Sequence, residues 1–325
     1  MTGTKIKIGV SNCDRMRPLV DGTVTIKDVA ADFHLMPVQD LFNKQLTEHT
    51  FDCCEFPLAT YLRALDTPER PYVAVPIFPS RHFRLSCVFV NRNAGIKHPA
   101  DLAGRKVGIP VFDMAAAVWL RGIFEEYYSL DRTAPIYVTG GLEHARVGDE
   151  HPQFYPDKFK VERATPSLSS MLDAGDIDCL YTARAPSSFK PGGNVVRLFA
   201  DPQTEEMKYF ERSGIFPPMH ILCVKRSVYE RMPEVGQRLF AAFLEAQSVA
   251  RQRIYDSAAL SVMLPWLLEH LLRTEELLGP DYWAAGFARN RTTLAKVIQY
   301  MRDDALIGTA FEPEDLFADK TLLQT

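Results

Sequence analysis

Arg81 and Arg84, three residues apart, carry planar, permanently charged forks that suit carboxylates, and they follow the strand-like run Tyr72–Phe78. In open α/β sheets ligands lie beyond the carboxyl ends of strands, so the residues just after each strand are the ones to inspect. His82 sits between the two arginines and points the other way if the segment is extended. The competing reading of this trio is a surface or hinge salt bridge. His220 follows the rigid pair Pro217-Pro218 and precedes the run Ile221–Lys225. Histidine trades protons near neutral pH better than any other side chain, although a core histidine satisfied by a carbonyl is also common. Asn12, Asp14 and Arg15 follow the first strand, and Glu55 follows the second. Both acids could equally cap the helices that come next. Met114 stands beside Asp113 where a helix opens, and the free amides there form an anion site, with Asp113 expected as the cap. Thr165, Ser167 and Ser169 offer hydroxyls from a later turn, and Thr182 and Arg184 follow the strand Cys179–Tyr181.

These positions presuppose a particular order of elements. Short β-rich runs alternate with helical patterns, as in a mostly parallel sheet with crossover helices. Strands are expected at Lys5–Val10, Phe51–Cys54, Tyr72–Phe78, Phe83–Asn91, Lys106–Pro110, Val195–Phe199 and Ile221–Lys225. Helices are expected at Val38–Glu48, Phe56–Leu65, Ala115–Glu126, Ser167–Leu172, Asp201–Glu211, Val235–Ser257 and Leu260–Leu272, with Trp266 and Trp283 as core anchors. The stretch 134–159 reads as loop. The order predicts a discontinuous first lobe, 1–90 plus 224–325, and a second lobe, 91–223, with a ligand cleft between them. Phe83–Asn91 and Ile221–Lys225 would be the crossings.

The 325 residues suffice for one large or two medium domains. Apolar residues make up 46% and charged residues 24%, the balance of a globular protein. The charge of 37 − 41 = −4 argues against a general attraction to nucleic acid or to an anionic membrane. Anion binding must then come from a few placed arginines. No window approaches the roughly 20 apolar residues of a membrane span. No export signal precedes the first strand, so a cytoplasmic location is expected. Six scattered cysteines fit buried free thiols in a reducing compartment. Gly140-Gly141 lacks the strand and helix of a dinucleotide fingerprint. The eight histidines show no convincing metal-ligand spacing, so neither cofactor nor metal is expected. The partner expected is a small carboxylate, and a homo-oligomer is left open.

Four runs stand out together: Phe78-Pro-Ser-Arg-His-Phe-Arg84, Asp101-Leu-Ala-Gly-Arg-Lys-Val-Gly-Ile-Pro110, Met114-Ala-Ala-Ala-Val-Trp-Leu-Arg-Gly122 and Gly214-Ile-Phe-Pro-Pro-Met-His220. With the stretch Phe287–Phe317 they resemble the 4,5-dihydroxyphthalate decarboxylase family, a cytoplasmic branch of the type II periplasmic-binding-protein superfamily. The second run is shared across that superfamily, and the other three are more specific to the branch. The resemblance implies a two-lobed α/β fold with a discontinuous first lobe and a helical C-terminal region. It further implies non-oxidative loss of CO2 from 4,5-dihydroxyphthalate to give protocatechuate. Such a reaction needs donors for two carboxylates, a group that polarises the catechol hydroxyls and a general acid near the ring. On that implication His220 is the general acid, with His82 as rival donor and Glu55 accepting from a hydroxyl. Arg81, Arg84 and Arg184 clamp carboxylates, and Asn12, Asp14, Met114 and Thr182 complete the lining. The alternative is a non-catalytic protein that binds a small acid in the same cleft.

Overall fold

Two sheets organise the computed structural model, which describes residues 4–146 and 154–325. Their strands are, in chain order, β1 (Thr4–Ser11), β2 (Val29–Met36), β3 (Cys53–Pro57), β4 (Tyr72–Val75), β5 (Val88–Asn91), β6 (Lys106–Ile109), β7 (Ile136–Thr139), β8 (Lys160–Arg163), β9 (Cys179–Tyr181), β10 (Val195–Arg197) and β11 (His220–Lys225). The first sheet has the order β2-β1-β3-β11-β4 and the second β10-β5-β9-β6-β7-β8. The chain divides into two units, Met1–Arg81 with Pro218–Ala295 and Phe311–Thr325, and His82–Pro217 with Lys296–Ala310. Each sheet lies within one unit.

In the first unit β1 runs parallel to β2 and β3, whereas β11 is antiparallel to β3 and β4. The alternation along β1 sends Ile6, Ile8 and Val10 into one core, where they meet Cys53, Val75, Leu222 and Val224. The helix Val235–Tyr255 closes that core with Leu239, Ala242, Phe243 and Ala246. Gly9 faces the opposite side, and a Cβ there would lie 2.6 Å from Leu41 and 2.8 Å from Phe51. Its missing side chain is what lets the helix Val38–Glu48 approach the sheet. In the second unit Phe89, Val138, Leu168, Leu172, Ile177, Leu180 and Val195 form the core.

The stretch 296–310 belongs to the second unit, which the order of elements did not foretell. The cause is a buried ion cluster. Arg121 lies on the helix Ala115–Tyr128, and its Nε and Nη2 donate to Asp304 Oδ2 at 2.8 and 2.6 Å, with both side chains fully buried. Arg132 Nη1 donates to the other oxygen, Oδ1, at 3.0 Å. Gly122 follows Arg121 because a Cβ there would come within 2.3 Å of the Tyr300 ring. The run from Met114 to Gly122 therefore anchors the C-terminal stretch.

Several expectations change. The chain leaves the first unit after Arg81 and returns at Pro218, so the strands β5 and β11 are interior members of the two sheets rather than crossings. Trp266 is exposed and precedes the helix Leu267–Leu278, and Trp283 is half-buried, so neither is a core anchor; Trp119 and Tyr61 are among the largest buried side chains. β7 lies inside the stretch expected as loop and β8 begins just after it, and residues 147–153 of that stretch fall outside the described ones. The helix cap expected at Asp113 falls on Met114, which makes no side-chain cap bond.

Removing Asp304 leaves the buried Arg121 guanidinium without its carboxylate and takes one of the partners of Arg132. Asp304→Ala should therefore cost about 3–5 kcal/mol, read as a lower urea midpoint. A loss below about 1 kcal/mol, the scale of an exposed pair, would show that the cluster does not hold the C-terminal stretch.

Candidate active site

Three strands of the first sheet bring their ends together. Ser11 is the last residue of β1, Glu55 lies on β3 and His220 opens β11. Because β11 runs against the other two, its start lies at their carboxyl ends. Glu55 pairs directly with Leu222, so His220 is its diagonal cross-strand neighbour, within reach of a long side chain. The Glu55 carboxylate is buried, and both of its oxygens are engaged. Oε2 accepts from the Ser11 amide at 2.9 Å and from the Ser11 hydroxyl at 2.5 Å. Oε1 meets His220 Nδ1 at 2.5 Å.

This arrangement fixes which imidazole nitrogen is available. A carboxylate can only accept, so Nδ1 carries the proton it donates to Glu55, and Nε2 is left to exchange one. The His220 side chain keeps 16% of its surface exposed while Glu55 keeps none. Phe42 packs edge-on against the imidazole with ring centroids 4.9 Å apart, which restricts its rotation. Burial on its own would raise the Glu55 carboxyl. The hydrogen bond and charge of His220, and then the Ser11 hydroxyl and amide, outweigh it and hold the group below its ordinary value of 4.5.

Two loops complete this end of the sheet. After β4, the carbonyl of Ser80 accepts from the Met219 amide at 2.8 Å and from the His220 amide at 3.3 Å. The carbonyl of Pro79 accepts from Arg15 Nε, and that of Phe78 from Trp283 Nε1 at 3.1 Å. The Arg15 guanidinium lies over the Trp283 ring at 4.6 Å. Arg81 is buried: its Nη2 donates to Ala284 O at 2.9 Å and to Asn290 Oδ1, and the guanidinium lies 4.8 Å over the Phe78 ring. Burial pulls it down to about 9. Asn12 is exposed on the loop after β1. Asp14 is also exposed and pairs with Arg15 at 2.9 Å. A cavity of about 480 Å³ opens beside Asp14, Arg15, Arg251, Trp283 and Arg289. Its arginines are matched by Asp14, Glu275 and Asp281, so it offers little net positive charge to a diacid.

Arg84, His82, Thr182, Arg184 and Met114 all belong to the second unit. Arg84 Nη1 donates to Ala183 O at 3.5 Å, and the Thr182 hydroxyl accepts from the Arg184 amide at 3.2 Å, so these three share one strand end. Arg84 is buried and Arg184 exposed. The His82 Nδ1 lies against the carbonyl of Phe83. Burial, and then the charge of Arg84, lower its affinity for a proton. Met114 begins the helix Ala115–Tyr128. Among the described residues no group of three or more His, Cys, Asp or Glu stands where it could hold a metal ion.

Of the residues inspected in the sequence, the structure joins Glu55 to His220 and adds Ser11. The hint of Ser11 was slight: a hydroxyl closing an otherwise Ile/Val-rich strand. Glu55 caps no helix, because Pro57 occupies the N-cap of Leu58–Leu65. A test follows from its lowered carboxyl. The folded-state pKa lies below the unfolded one, so the bonds around Glu55 add stability that is complete above 4.5 and is lost as pH falls through the folded value. Glu55→Gln should lower stability at neutral pH by about 1–3 kcal/mol, since an amide cannot accept from Ser11 and His220 together. In urea titrations that gap should narrow as the medium is acidified below 4.5. A gap independent of pH would contradict the ionised, three-donor arrangement.

No family model matches the chain. A 4,5-dihydroxyphthalate decarboxylase of Comamonas testosteroni is 34% identical over 325 residues, spanning 99% of this chain and 98% of the relative. One of Pseudomonas putida is 36% identical over 206 residues, 62% of this chain and 80% of its own length. Among solved structures, the periplasmic aliphatic sulphonate binding protein SsuA from Escherichia coli matches with a TM-score of 0.56 at 14% identity, over 99% of each chain. That likeness assigns the periplasmic-binding-protein fold. The near-complete match to the first relative, in identity and in length, shows that the chain belongs to the 4,5-dihydroxyphthalate decarboxylase family.

Proposed function

We propose that the protein is a carboxy-lyase that converts 4,5-dihydroxyphthalate to protocatechuate and CO2, with His220 delivering the proton. The observation that carries the chemical part of this reading is the imidazole whose Nδ1 is held by the buried Glu55 carboxylate. Each carboxylate of the substrate has a hydroxyl para to it, which makes the ring carbon bearing that carboxylate basic. A π electron pair takes the proton from Nε2 of the charged imidazole to form a C–H bond at that carbon. The C–C bond to the carboxylate then breaks, its electrons restore the aromatic ring, and CO2 departs. His220, now neutral, regains a proton from water. Glu55 keeps the imidazole in one orientation through its bond to Nδ1.

Arg81 is proposed as a carboxylate partner, because a carboxylate in contact would reverse the lowering that burial imposes on it. Its bonds to Ala284 and Asn290 hold the fork in place. Asn12 and Asp14, exposed on the loop after β1, are proposed to meet the polar edge of the ring. A reducing, cytoplasmic setting is proposed from six free cysteines, five of them buried. No helix among the described residues is long and apolar enough to cross a membrane.

The assay is direct. Purified protein incubated with 4,5-dihydroxyphthalate should release CO2 and protocatechuate in equal amounts; binding without release would sink the enzymatic reading. His220→Gln should reduce kcat by about 10²–10⁴-fold while the substrate still binds. Turnover within a few-fold of the unaltered protein would remove His220 from the proton step. Arg81→Gln should instead weaken binding at least tenfold, as expected from losing a charge-assisted bond of about 1.5–3 kcal/mol. Unchanged binding would leave Arg81 a structural brace.

A further inference from the structure

Ten large apolar side chains are exposed among the described residues, and six of them fall in one short stretch: Leu260, Val262, Met263, Leu264, Trp266 and Leu272. Met263 is 102% exposed and Trp266 72%. Scattered exposed leucines need no explanation, but six exposed apolar side chains gathered between Leu260 and Leu272 do. Trp266 and Met263 are of the residue types that protein interfaces enrich, and a Trp brings about 150–250 Å² to bury.

The backbone points the same way. Trp266 adopts a left-handed conformation, φ 60°, immediately before the helix Leu267–Leu278. A non-glycine residue held there is strained, yet within its own chain this one leaves most of its indole in solvent. The helix that follows is leucine-rich and fully buries Leu271 alone.

Charge decides what would cover the patch. Glu269, Leu272, Arg273 and Glu276 share one exposed helix face by their spacing of three and four residues. Among the described residues neither Arg273 nor the two glutamates form an ion pair, in contrast to Arg251 and Glu275 nearby, which meet at 2.5 Å. An apolar centre flanked by both charge signs is complementary to itself. Around a two-fold axis the helix would meet its own copy antiparallel, with Arg273 opposite Glu269 of the second molecule.

We propose that the surface formed by 260–276 is a self-association interface, and that its partner is a second copy of this chain bound through the same surface. Sedimentation equilibrium and light scattering on the full chain at micromolar concentration test it. The expected mass is a multiple of 36.7 kDa. Trp266→Glu and Met263→Glu should each weaken association at least tenfold, with an unchanged circular dichroism spectrum, since both side chains lie in solvent within the single chain. Arg273→Glu should also weaken it, and adding Glu269→Arg to that variant should restore it. A chain that stays at 36.7 kDa would overturn the proposal. So would an assembly left intact by Trp266→Glu and Met263→Glu, or a failure of the charge exchange to restore association.

Discussion

A carboxylate with no exposed surface is tolerated only when its charge and its lone pairs are both answered. Glu55 is in that position, and the three donors that answer it come from Ser11 and His220, which lie 44 residues before it and 165 residues after it. Meeting that demand brings the ends of β1, β3 and β11 together and sets the tilt of one imidazole. The rest of the candidate site follows from the same constraint. If β11 slipped by one residue, His220 would turn to the other face of the sheet and Glu55 would be left buried without a counter-charge.

The runs that resemble the family turn out to have separate duties. Phe78–Arg84 and Gly214–His220 are sewn together where the chain changes units. The Ser80 carbonyl holds the amides of Met219 and His220 within the first unit, and the His82 amide donates to Pro217 at 3.0 Å within the second. These bonds set the height at which His220 enters the sheet. The run from Met114 to Gly122 is occupied with packing: Trp119 is buried, Arg121 holds Asp304, and Gly122 makes room for Tyr300. A motif specific to a family therefore need not be a motif of its chemistry.

Local patterns were readable in the sequence. The helix Val38–Glu48 lies where its spacing of apolar residues puts it, and the core strands β1, β6 and β11 fall on Ile- and Val-rich runs. The edge strands β2 and β8 were not readable, because their residues are mostly half-buried or exposed and no apolar alternation marks them. Leu260–Leu272 reads as helix from its leucines, but the segment before Leu267 is exposed and non-helical. Glu55 and His220 could each be singled out by residue type and by place after or before a strand. Their pairing could not, since it depends on the long-range register of β3 against β11. For the same reason Ser11 drew no attention: its role appears only once the strand beside it is known.

On this reading Glu55 holds the Nδ1 proton of His220, so that exchange takes place at Nε2. Nitrogen-15 NMR of the histidine rings across a pH titration reads this directly. The His220 Nδ1 signal should stay that of a protonated nitrogen throughout, while the Nε2 signal alone moves between the protonated and unprotonated positions. A neutral His220 that carries its proton on Nε2, with Nδ1 bare, would contradict it.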